Sequence, residues 1–163
     1  MPEPKLLATT LAGKSSRCVR EVLNSIMPRD PEVEVTEVCQ NVLVVRSNLL
    51  PNEVYGTLRA APPSCLARAY PVHTLAPLNE VEAIRASLEL VGKYQGTFLV
   101  DCVNRGAKVD CRQVEMGIGM MLGGRVSYGN PDWVLTVNCA DMCYISVLRR
   151  GQEKFRSSLP MSI

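Results

Sequence analysis

Eight residues in the second half of the chain carry groups suited to holding an anion: Asn104, Arg105, Gly106, Lys108, Arg112, Arg125, Arg149 and Arg150. Guanidinium and ammonium groups meet phosphate oxygens, and a glycine turn lets backbone come close to them. Asn104-Arg105-Gly106 followed by Lys108 combines both features. Arg112 and Arg125 flank a glycine-bearing segment, either extending the same patch or lying on solvated surface. Arg149 and Arg150 end the last apolar run, either contacting phosphate or protecting a sheet edge with charge. Between residues 105 and 156 there are eight Lys or Arg against five Asp or Glu. That is a modest basic bias in a chain whose net charge is only +2.

Catalytic groups are sparse by comparison. The sole histidine, His73, ends an apolar run with no Ser or Cys nucleophile motif beside it, so a structural or surface role is expected. No Gly-x-x-x-x-Gly-Lys-Ser loop occurs. Gly117 and Gly119 fall inside a helical pattern and Gly123-Gly124 closes it, which is wrong for a dinucleotide site. The stretch from Leu11 to Arg17 only loosely resembles the phosphate-cradling loop of acylphosphatases. Seven cysteines lack Cys-x-x-Cys spacing, and most are expected to be small core residues in a reducing compartment. Metal binding is the rival for four of them: Cys139 and Cys143 flank one turn, Cys102 and Cys111 another, and zinc wants all four ligands in tetrahedral reach. No cofactor and no metal is expected.

The positioning elements are legible in the hydrophobic pattern. With 163 residues and 47% hydrophobic content the chain is long enough for one domain or two small ones. No apolar run approaches a membrane span and the N-terminus lacks a signal-peptide layout, so no membrane partner and a cytoplasmic location are expected. Residues 5–11 read as a strand. A helix follows, capped by Ser15 or Ser16, with Val19, Val22, Leu23 and Ile26 on one face and Pro28 and Pro31 beyond it. Two strands meet at Asn41, Pro51 opens a helix to Ala60, and residues 64–73 make a fourth strand. This βαββαβ order predicts a ferredoxin-like domain over residues 1–75.

Residues 76–163 read as αβαβββ, giving an α+β chain of two domains. Asn79 with Glu82, and Asp110 with Gln113, are helix-opening caps. The second of these helices places Val114, Ile118, Met121 and Leu122 on one side. Gly117 and Gly119 within it each cost roughly 1 kcal/mol against alanine, which predicts close packing there, against the sheet or against nucleic-acid backbone. A breaker, Asn130-Pro131-Asp132, precedes a hairpin running from Trp133 through a turn at residues 139–142 to Leu148. Arg125-Val126 and the run at residues 97–103 supply the other strands.

Several of these stretches resemble the THUMP domain, an RNA-binding module of 4-thiouridine synthases, tRNA methyltransferases and pseudouridine synthases. The strand from Thr97 into Asn104-Arg105-Gly106 resembles the family's strand and its arginine turn, with one guanidinium here where the family has a pair. The helix from Cys111 with Gly119 is similar to its glycine-containing helix. Asn130-Pro131-Asp132 before Trp133-Val134-Leu135-Thr136-Val137 resembles its hallmark, and Tyr144-Ile145-Ser146-Val147 its closing strand. The stretches Leu6 to Thr10 and Leu66 to Val72, with Arg46, look like the N-terminal domain of the stand-alone branch, and the length of the chain fits that branch. The resemblance implies a non-enzymatic adaptor. It would hold the acceptor-stem region of tRNA, by backbone shape rather than base sequence, for a separate modifying enzyme such as a cytidine N4-acetyltransferase. The competing expectation is a structural or protein-interaction module with no RNA ligand.

Overall fold

The computed structural model describes residues 2–155. They form two compact units, residues 2–71 joined by 151–155, and residues 72–150. The first unit runs β1 (Glu3–Thr10), α1 (Ser15–Ile26), β2 (Glu34–Cys39), β3 (Val42–Ser47), α2 (Pro51–Ala60) and β4 (Leu66–Pro71). Its sheet is ordered β2-β3-β1-β4 with every pair antiparallel. Cys18, Val22 and Ile26 of α1 and Val54 and Leu58 of α2 bury their side chains against Leu6, Ala8, Leu43 and Val45, the core that holds both helices to the sheet. This is the expected ferredoxin-like order. Asn41 makes the β2–β3 turn at φ 64°, a left-handed conformation that asparagine tolerates. The cap of α1 differs from the expectation: Lys14 holds the N-cap position without a side-chain hydrogen bond, and Ser15 is already helical.

The second unit runs β5 (Thr74–Ala76), α3 (Glu80–Val91), β6 (Phe98–Asn104), α4 (Cys111–Leu122), β7 (Trp133–Cys139) and β8 (Cys143–Leu148). Its sheet is ordered β5-β8-β7-β6, with β6 and β7 parallel and α4 crossing between them. Both expected caps form: Asn79 accepts from the Glu82 N–H and Asp110 from the Gln113 N–H. The strand expected at Arg125-Val126 shrinks to a single parallel bridge between Val126 and Phe98, while Thr74–Ala76 adds a short strand at the far edge. Met121 stands 72% exposed in the last turn of α4, where the buried face has narrowed to Leu122.

The division between units also departs from residues 75 and 76. Beyond Arg150 the chain returns to β4, where Ala69 N–H donates to Glu153 O, Phe155 N–H donates to Ala67 O, and the Arg59 guanidinium lies 3.9 Å from the Phe155 ring centre. Residues 151–155 therefore belong with the first unit. His73 belongs with the second: its N–H donates to Ile145 O and its Nδ1 accepts from Val147 N–H at 3.1 Å, so the imidazole continues the pairing of β5 with β8. Burial lowers the pKa of His73 below its ordinary 6.5. A depressed folded pKa gives stability that is present above about pH 6.5 and lost as pH falls through the folded value. Urea midpoints should therefore fall between pH 7 and pH 5 by more in the parent chain than in His73→Gln.

The two helix glycines separate. A Cβ at Gly117 would lie 2.5 Å from Cδ1 of Ile84, so this glycine permits α4 to pack on α3, a helix–helix contact rather than a helix–sheet one. A Cβ at Gly119 would meet nothing within 4 Å. Gly119→Ala should raise stability by about 0.5–1 kcal/mol, read as an increased denaturant midpoint at constant slope.

The cysteines form two disulfides, Cys18–Cys65 in the first unit and Cys102–Cys111 in the second. Cys139 and Cys143 face each other across β7 and β8, both buried, with their thiols hydrogen-bonded. That bond raises the Cys139 pKa and lowers that of Cys143. The four sulfurs of the rival metal reading thus form a bonded pair and a thiol pair. Among the described residues no group of three or more His, Cys, Asp or Glu is placed to hold a metal ion. No helix among them is long and apolar enough to cross a membrane.

Candidate nucleic-acid interface

The eight candidate residues do not form one patch. Asn104, Arg105, Gly106, Lys108 and Arg112 lie where β6 ends and α4 begins, while Arg125, Arg149 and Arg150 gather at the opposite end, where β6 and β7 start and β8 finishes. The six steps of β6 put these ends about 20 Å apart at roughly 3.3 Å per residue.

At the first end the loop is built to hold itself. The Asn104 side chain donates to Val109 O at 2.7 Å and accepts from Val109 N–H at 3.1 Å, closing residues 104–109 into a ring. Gly106 occupies φ 84°, which that ring requires and which other residues rarely adopt. Arg105 is half-buried, with its N–H on Cys139 O and its Nε donating to Asn138 Oδ1 at 2.8 Å. Asn138 is fully buried and its Nδ2 has no partner among the described residues. Arg105 is therefore a fastener between β6 and β7 rather than a purely exposed turn cation. Arg105→Ala should cost about 1–3 kcal/mol of stability in chemical denaturation, because it strips the remaining partner from a buried amide. Lys108 and Arg112 are exposed and have no side-chain hydrogen bond or ion pair among the described residues. Asp110 lies between them in sequence and its N–H donates to Glu80 at 2.9 Å, so acids offset the positive charge at this end.

The opposite end is more basic and more ordered. Arg125 donates from Nε to Gly96 O at 3.0 Å and from a terminal nitrogen to Tyr94 O at 2.9 Å, and Trp133 Nε1 donates to Gln95 O at 2.9 Å. Three successive carbonyls are thereby fixed. Arg150 holds Gly129 O at 3.1 Å and Tyr128 O at 3.0 Å. Arg149 holds Asp132 O at 3.2 Å and lies over the Trp133 ring, 4.1 Å from its centre. Arg125 and Arg150 bond neutral carbonyls here, which orders each guanidinium and leaves its charge in place. Lys93, which the sequence pattern did not single out, is exposed beside this end just after α3.

The breaker motif has a defined task here. Asp132 Oδ2 accepts from Thr97 N–H at 2.8 Å and from the Thr97 hydroxyl at 3.3 Å, while the Asp132 N–H donates to Thr97 Oγ1 at 3.0 Å. This clasp orients the Asp132 carboxylate on Thr97 and leaves its charge in place, so Arg125, Arg149 and Arg150 outnumber the acid rather than stand without it. The result is a basic rim with one exposed aromatic, Tyr128, beside a half-buried Trp133 whose ring Arg149 already covers, over backbone fixed by the same arginines. Such a surface suits phosphate and a stacked ring better than any acid–base chemistry. Arg156, counted in the basic bias, lies outside the described residues.

The fold is α+β, a ferredoxin-like unit with a THUMP-like unit. No family model and no curated protein matches the chain. Solved structures do. PH1313 from Pyrococcus horikoshii Ot3 superposes with a TM-score of 0.61 at 14% identity, over 90% of this chain and 55% of that one. A 4-thiouridine synthetase solved in complex with RNA and bound ATP gives 0.55 at 15% identity, over 90% of this chain and 42% of that one. TrmN from Thermus thermophilus gives 0.59 at 18% identity, over 87% and 44%. The chain spans about half the length of these structures.

Proposed function

We propose that the chain binds tRNA through the second unit, using the end formed by Arg125, Tyr128, Trp133, Arg149 and Arg150. The observation that carries the reading is the trio of arginines anchored on backbone carbonyls around Asn130-Pro131-Asp132. They sit in a fold that also occurs in a synthetase solved with RNA. Guanidiniums already held in place lose little freedom on meeting phosphate, and Arg125 and Arg150 bond neutral carbonyls, so their charge remains for an anion. The acceptor-stem region, read through its backbone and 2′-hydroxyls, is the proposed target. Lys108 and Arg112 are a secondary contact, because neighbouring acids weaken the field there.

In this reading the chain is an adaptor without catalysis of its own. It presents tRNA to a separate modifying enzyme, a cytidine N4-acetyltransferase being the first candidate. The mechanism needs only positioning: fixing the stem by its phosphates reduces the freedom of the target nucleotide before the enzyme meets it. Fluorescence anisotropy with labelled tRNA and a DNA hairpin of equal length tests the reading. Binding to tRNA at least tenfold tighter than to the DNA is expected. Equal affinity for both, or none for tRNA, contradicts it.

A further inference from the structure

Strand β6 forms one edge of the second unit's sheet. Trp133 N–H donates to Thr97 O at 3.0 Å and Arg105 N–H to Cys139 O at 2.7 Å, so the odd-numbered residues of this stretch turn their backbone toward β7. The even-numbered residues turn theirs outward. Two of the outward groups are already met: Ser127 N–H donates to Phe98 O at 2.9 Å, and Glu115 Oε2 accepts from Cys102 N–H at 2.9 Å. Between them the N–H and C=O of Val100 face outward with no partner among the described residues. An edge is normally blocked along its length by charge, proline or a covering segment. Here both ends are covered and the middle is open.

A groove of ≈ 520 Å³ adjoins that opening. Val100, Val126 and Tyr128 form one side, and Met116, Gly119 and Met120 of α4 the other. Met120 is 80% exposed and Met116 55%, an unusual display of thioethers, which adapt their shape to what they contact. Gly119 lowers the α4 wall where a Cβ would meet nothing. The single ionised side chain in the lining is Glu115, which bonds a neutral N–H and makes no ion pair among the described residues. An apolar trough with one unmatched carboxylate disfavours a phosphate backbone and favours a segment carrying one cation.

We infer that this groove receives an extended segment of a partner protein. The segment pairs with the Val100 backbone as an added strand, lays apolar side chains against Met116 and Met120, and sets a Lys or Arg against Glu115. The site shares Tyr128 with the arginine end but differs from it in chemistry, and it stands whether or not the tRNA reading does.

The probe is an end-blocked octapeptide of alternating valine and lysine, carrying a fluorophore, titrated into the full chain. Two variants are made. Val100→Pro removes the outward N–H, a change that edge strands tolerate where the N–H faces solvent. Met120→Gln replaces the thioether by a neutral polar group of similar length at an exposed groove position. The expected result is saturable binding, weakened at least tenfold by each variant that retains the parent melting transition. Protection of the Val100 amide from hydrogen exchange on peptide addition is expected as well. The same peptide with proline in place of a central valine should bind at least tenfold more weakly. The inference is overturned by no saturable binding, by equal affinity in Met120→Gln, or by unchanged exchange at Val100. It is also overturned, with the groove reassigned to RNA, if tRNA displaces the peptide and Met120→Gln weakens tRNA binding.

Discussion

Gly96→Ala is expected to destabilise the second unit by about 3–5 kcal/mol, the largest effect of any single methyl addition in the chain. Two causes add. Gly96 sits at φ 113°, a conformation that L side chains rarely adopt. Its Cβ would also press on the Asp132 carboxylate, 2.9 Å from Cγ and closer still to Oδ2. Asp132 could retreat only by releasing the Thr97 N–H and hydroxyl, and the clasp would open. Asp132→Ala separates the causes: it loses the clasp without backbone strain and should cost about 1–3 kcal/mol. Urea denaturation of both variants checks the pair, and similar losses in the two would mean that strain at Gly96 contributes nothing.

Arg149→Ala combined with Arg150→Ala is expected to weaken tRNA binding roughly 30- to 150-fold near 0.1 M salt. That follows from about 1–1.5 kcal/mol for each charge-assisted contact at a partly solvated site. Stability should fall less than in the Gly96 variant, because both side chains are exposed and hold loop carbonyls rather than core groups. Replacing both with lysine keeps the charge but not the fork that reaches Gly129 O and Tyr128 O together. The lysine pair should recover the salt dependence and only part of the affinity. Filter binding of one tRNA to the three proteins measures this, and equal affinity in all three would move the interface elsewhere.

The element order was legible because apolar periodicity and punctuation agree. Val22 and Ile26 on α1, Asn79 and Asp110 as caps, and Asn41 as a turn each follow from a local rule. The return of residues 151–155 to β4 was not legible, since Gly151-Gln152-Glu153-Lys154 is polar and pairs through backbone alone. The disulfides depend on three-dimensional proximity that spacings of 47 and 9 residues do not announce. Candidate cations were found by residue type. Their sorting into fasteners and contacts was hidden because their partners are carbonyls of distant turns: Tyr94 and Gly96 for Arg125, Tyr128 and Gly129 for Arg150. In the sequence Asn130-Pro131-Asp132 reads as a breaker that resembles a family hallmark. Its physical use, a clasp on Thr97 that ties the start of β7 to the start of β6, appears only when the two strands lie side by side.

The salt dependence of tRNA binding tests the central claim most directly. Association constants for the full chain measured from about 50 to 300 mM NaCl should fall linearly on a log–log plot. A slope steeper than about −2 is predicted, corresponding to roughly three phosphates neutralised at 0.7–0.9 each. A slope near zero, or no binding at the lowest salt, would contradict it.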